Sequence, residues 1–145
     1  MLLTDVNVLV YAHREDAPDH RPYRSWLENL LQGPGSYAVN DLVLSGVTRI
    51  VTHPRIFDPP STSAQALSFV TRVRDRANAV PVAPGRRHWD IFLDLCRRTD
   101  ARGNLVPDAY LAALAIETGS EWVTTDRDYA RFPGLRWRHP LFVGS

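Results

Sequence analysis

The chain has 145 residues, of which 44% are hydrophobic and 23% charged, with a formal net charge of +1. That size fits one domain, here residues 1–145, whose core holds roughly two-thirds of the surface an unfolded chain exposes. The composition excludes a disordered chain, and so small a net charge says nothing about nucleic acid; all 17 basic residues are arginine, which genomic base composition explains more simply than phosphate binding.

Short apolar runs alternate with amphipathic stretches, the pattern of an α/β domain with a mostly parallel sheet. Residues 2–11 form a nearly continuous apolar run, broken by Asp5, and predict a buried parallel strand. With no basic start and no small-residue cleavage site, this segment does not read as a secretion signal. Residues 20–32 predict a helix, since Tyr23, Trp26, Leu27, Leu30 and Leu31 fall on one face. After Gly33-Pro34-Gly35, residues 36–39 predict a short strand. Asn40 or Asp41 then caps a helix running to about residue 52. The next helix covers residues 61–77, with Ser61 as its cap and Leu67, Val70 and Val73 as its stripe.

Residues 80–83 predict a strand, and 88–98 a helix with Trp89, Phe92, Leu93 and Cys96 on one face. Residues 107–118 are bounded by Pro107 at the first helical position and Gly119 after the last, and are apolar enough to be buried. Strands at 121–125 and 135–138 complete the prediction. The single cysteine, Cys96, excludes an intrachain disulfide framework and fits the reducing cytoplasm. No apolar run has the length needed to span a bilayer. The five histidines, His13, His20, His53, His88 and His139, lack zinc-site spacing and read as surface or capping residues. No phosphate-binding glycine loop is present.

The chemistry rests on aspartates. Asp5 and Asp126 sit at the ends or edges of apolar strands, and Asp108 lies in the first turn of the buried helix. In parallel sheets, ligands bind beyond the carboxyl ends of the strands, so these groups can meet in one cleft. Each also has a simpler role. Asp108 suits a helix N-terminus, while Asp126 and Asp128 suit a turn. Asp5 is harder to explain away, because a lone charge in an apolar strand is costly to bury. Clustered carboxylates raise one another's pKa unless a cation lies between them. Hard oxygen ligands of this kind suit Mg²⁺ or Mn²⁺. Such a site takes one ion, or two about 3.5–4 Å apart, for attack of water on a phosphodiester.

The runs TDVNVLVYA, NLVPDAYLAALAIETG and WVTTDRDYARFPGLRW resemble the VapC-type toxins, PIN-domain ribonucleases of bacterial toxin–antitoxin pairs. The resemblance implies a three-layer α/β/α sandwich around a mostly parallel sheet. It also implies a Mg²⁺-dependent endoribonuclease acting on structured RNA, a cognate antitoxin that blocks the site, and a toxin homodimer. By position it implies Asp5, Asp108 and Asp126 as acidic metal ligands, Asp128 as a further acidic group, and Thr124 and Asn7 as polar residues lining the pocket. One feature departs from the family. Ser45 and Gly46 stand about where a glutamate is expected on the helix after the second strand. Asp41, roughly one turn earlier, is the only carboxylate nearby to substitute.

Arg49 and Arg55 lie near the expected cleft and suit either RNA phosphates or surface salt bridges. The rival to a nuclease is a PIN-like module that binds RNA or protein, its turnover weakened by the missing glutamate. An aspartate phosphohydrolase lacks its second acid here, since the run is Asp5-Val6-Asn7, and a receiver domain lacks its lysine.

Overall fold

The computed structural model describes residues 1–142. Residues 2–11, expected as one strand, divide into strand β1 (Leu2–Thr4) and helix α1 (Val6–His13). A short apolar run has no period that separates a buried strand from a buried helix. Asp5 decides the matter. Its extended backbone ends the strand, and its side chain accepts the Val6 N–H as the N-cap of α1. Val8, Leu9, Val10 and Ala12 are then all buried, so the helix is apolar nearly all round.

Helix α2 (His20–Gln32) buries Tyr23, Leu27 and Leu31, the face its period predicts. Strand β2 is Tyr37–Val39, and Asn40 caps α3 (Asp41–Val51) by accepting from the Leu42 and Val43 N–H groups. Helix α4 (Ser63–Arg74) starts later than expected, because Thr62 and Gln65 form a capping box. Ser61 is instead a buried hydroxyl held by His13 and Arg14. The inner face of α4 is Ala66, Val70 and Val73, which leaves Leu67 51% exposed.

After β3 (Ala79–Pro81), helix α5 (His88–Thr99) buries His88 and Leu95 rather than Trp89, which is 58% exposed. His88, expected at the surface, places its ring Nε2 2.9 Å from the Tyr110 carbonyl oxygen. Helix α6 (Leu105–Glu117) begins two residues before Pro107 and buries Ala109 and Ala112 through Ala115. Gly119, at φ +66°, turns the chain just past its end. Strand β4 (Glu121–Val123), a 3-10 turn at Arg127–Arg131 and edge strand β5 (Trp137–Arg138) follow.

The sheet order is β3-β2-β1-β4-β5, with every neighbouring pair parallel. Crossovers between parallel strands are right-handed. The chain steps one way along the sheet from β1 to β3 and the other way from β3 to β4. The helices α1–α4 therefore pack together on one face, and α5 with α6 on the other, in the expected α/β/α sandwich. The direction reverses between β1 and β4, which makes the carboxyl ends of those two strands the natural crevice. Among the described residues no helix is long and apolar enough to cross a membrane.

Candidate active site

Asp5 directly follows β1, and Thr124 directly follows β4. The register pairs Thr4 with Val123, and the Asp5 N–H donates to the Val123 carbonyl at 2.9 Å. The two residues therefore emerge side by side at the switch point. The Thr124 hydroxyl, 0% exposed, donates to Asp5 Oδ2 at 2.6 Å and accepts the Asp126 N–H at 3.1 Å. One buried oxygen thus ties both aspartates together. Asp126 Oδ1 in turn accepts the Asp128 N–H at 2.9 Å, which starts the 3-10 turn. That turn carries Tyr129 inward, and its hydroxyl donates to Asp108 Oδ1 at 3.2 Å. Asp108 reaches the crevice from the first turn of α6.

Asp5 is 7% exposed. Burial pushes its carboxyl up from 3.8 to about 6, against the lowering effect of the Thr124 and Val6 hydrogen bonds, with Asp108 and Asp126 adding repulsion. Burial also raises Asp108. The Tyr129 bond opposes that, while the charges of Asp126 and Asp128 add to it. Among the described residues no basic side chain forms an ion pair with Asp5, Asp108 or Asp126. The protein thus concentrates negative charge here and does not neutralise it.

The donors are all oxygens, and Asp108 Oδ2 and Asp126 Oδ2 accept no hydrogen bond within the described residues. In charge and donor type the cluster fits a hard divalent cation. The carboxylates interact through space. Yet among the described residues no three His, Cys, Asp or Glu side chains converge as a ready cage for an ion.

The other expected residues are placed differently. Asp41 opens α3 on the surface, where its Oδ1 pairs with Arg74 Nε at 2.8 Å and that bond lowers its pKa. The carboxylates acting on Asp5 are Asp108 and Asp126, not Asp41. Asn7 lies exposed in the first turn of α1 and makes no side-chain hydrogen bond among the described residues. Asp128 is exposed, its carboxyl 3.8 Å from Arg131; its backbone N–H bonds Asp126, and its charge is felt by Asp108.

Arg49 and Arg55 are exposed and form no ion pair among the described residues. Ser45 lines a groove between α3 and α4 together with Arg49 and Arg74. Gly46 faces α1, where an added Cβ would come 3.2 Å from Val6 Cγ2. The stretch of α3 that packs on the Asp5 end of α1 therefore carries no carboxylate. Tyr129 is the residue that sequence reasoning passed over. Its partner Asp108 stands 21 residues earlier, so no local spacing pointed to it.

Residues 2–135 match the PIN domain family. Ribonuclease VapC43 of Mycobacterium tuberculosis is 45% identical over 141 residues, covering 97% of this chain and 96% of the relative. Ribonuclease VapC25 of the same species is 43% identical over 140 residues, covering 97% and 99%. The fold matches that of VapBC2 from Rickettsia felis, solved bound to a promoter DNA fragment. There the TM-score is 0.68 at 20% identity, over 95% of this chain and 97% of the other. It also matches M. tuberculosis VapC20, described as a sarcin–ricin loop cleaving toxin, with a TM-score of 0.66 at 13% identity over 94% and 99%.

Proposed function

This chain belongs to the PIN-domain family, and on that premise we propose that it is a VapC-type endoribonuclease, the toxin of a toxin–antitoxin pair, cutting RNA phosphodiester bonds with the help of a divalent cation. The observation that carries the reading is the uncompensated carboxylate cluster at the β1/β4 switch point, stitched together by the buried Thr124 hydroxyl.

Asp5, Asp108 and Asp126 would hold Mg²⁺, with Mn²⁺ as an alternative, and Asp128 would assist at the open edge. A bound cation supplies positive charge for the phosphate and acidifies the attacking water. The remaining work falls to the chain. Thr124 holds Asp5 and Asp126 at a fixed separation, as partners behind metal-binding groups commonly do. One oxygen of Asp108 and one of Asp126 is already bonded, and the other, which accepts no hydrogen bond among the described residues, would be free for the cation. In this reading Asn7, exposed in the first turn of α1, would meet substrate, and the exposed Arg49 and Arg55 would supply charges for phosphates along the RNA strand.

An antitoxin would cover this cleft, since the fold neighbours include VapBC assemblies. A homodimer working in the cytoplasm completes the reading.

The test is cleavage of total cellular RNA by antitoxin-free protein with Mg²⁺, with Mn²⁺ and with EDTA, beside Asp5→Asn. Discrete fragments that vanish in EDTA and in the variant are expected. Intact RNA under every condition, from folded protein shown to bind Mn²⁺, would favour the module that binds without cutting. The carboxylate-free position at Ser45 and Gly46 would then be the cause.

A further inference from the structure

We propose that Tyr129 is a positioning residue for the acidic cluster: its buried hydroxyl pins one oxygen of Asp108 and so presents the other to the cation and substrate. This rests on the nuclease reading above and deepens it. Asp108 is the carboxylate of the three that most needs such a hold. Asp5 is gripped through both oxygens, by the Val6 N–H and the Thr124 hydroxyl. Asp126 is tied by its own turn to the Asp128 N–H and to Thr124 through its backbone. Asp108 sits only half-buried on α6 and, among the described residues, has Tyr129 as its one side-chain partner. Without that bond it would swing away from two neighbouring negative charges, since no other side chain among the described residues bonds it.

Tyr129 is built to be the rigid member of the pair. It is 2% exposed, with its ring wedged against Trp122 at 5.4 Å and Phe132 at 5.8 Å between centroids. The rings set where the hydroxyl lies, and the hydroxyl sets Asp108. The phenol hydroxyl is the donor in this pair, and the carboxylate oxygen accepts. Residues 108 and 129 are brought together because the 3-10 turn after β4 folds back over the start of α6.

Tyr129→Phe removes the hydroxyl and keeps the ring. The probe is Mn²⁺ itself, titrated into antitoxin-free protein and followed by electron paramagnetic resonance, beside RNA cleavage kinetics and thermal melting in EDTA. We expect Mn²⁺ affinity to fall about tenfold, as loss of an outer partner of a metal ligand commonly does. We also expect kcat to fall with KM little changed, and the metal-free melting temperature to stay within a few degrees of the parent's.

In an Asp108→Ala background the same change should add nothing, because the hydroxyl then has no side-chain oxygen at 108 to hold. Unchanged Mn²⁺ affinity and kcat in Tyr129→Phe would overturn the inference. So would a full additional loss in the Asp108→Ala background, or a collapse of metal-free stability, which would make the hydroxyl a structural group. Those results leave the nuclease reading standing if the parent still binds Mn²⁺ and cuts RNA; a parent that does neither overturns both.

Discussion

Replacing Asp5 by asparagine should stabilise the metal-free protein at neutral pH while abolishing its activity. Burial raises the Asp5 carboxyl from 3.8 to about 6 in the folded state. Between those values the folded chain keeps a proton that the unfolded chain has released, so stability falls as pH rises through that window. The contribution is fully present below pH 3.8 and gone above about 6. Two units at about 1.4 kcal/mol each amount to about 3 kcal/mol against the ionised form.

Asparagine is neutral and is itself a favoured N-cap, so it keeps α1 started while giving up the stronger hydrogen bonds of a carboxylate. A net gain of about 1–3 kcal/mol above pH 7 is expected, or about 3–10 °C in melting temperature for a domain of this size. The assay is melting of parent and Asp5→Asn in EDTA from pH 4 to pH 8. The variant's advantage should grow with pH and be lost near pH 4. Added Mn²⁺ should then raise the parent alone, in proportion to the logarithm of its concentration over the dissociation constant. A variant that melts below the parent at pH 8 in EDTA, or at a pH-independent offset, would refute the claim that this carboxylate is buried at a cost.

Thr124→Val keeps the side chain's shape but takes the partner from the buried Asp5 Oδ2 and from the half-buried Asp126 N–H. Urea unfolding in EDTA should show a loss of about 1.5–3 kcal/mol. The Thr124 bond holds Asp5 down, so the variant's Asp5 should titrate higher still by NMR. Asp41→Asn breaks only the exposed pair with Arg74. RNA cleavage at the parent rate is expected, and a tenfold drop would return Asp41 to the site. Arg49→Ala with Arg55→Ala should raise KM without changing kcat. Each lost phosphate contact should flatten the salt dependence of RNA binding by about 0.7–0.9 in log–log slope, and an unchanged slope would remove both arginines from the RNA path.

The sequence by itself settled the class of fold and the aspartates to watch. The 3.6-residue period of α2 and the Gly119 stop after α6 are local signals, written in residues a few positions apart. The mismatch of Asp5 with the apolar run around it is also local, and it singled out a carboxylate that the structure buries at the end of β1, while misplacing it inside a strand. Which face of α5 turns inward was not legible, because Trp89 and His88 are adjacent and only packing against α6 chooses the histidine. The fate of Asp41 was equally hidden, since its Arg74 partner stands 33 residues away. The site itself belongs to the tertiary structure. Asp5 and Thr124 are 119 residues apart, and Asp108 and Tyr129 are 21 apart. They meet because the sheet reverses direction between β1 and β4, and strand order is decided by long-range pairing and crossover handedness, which no local pattern encodes.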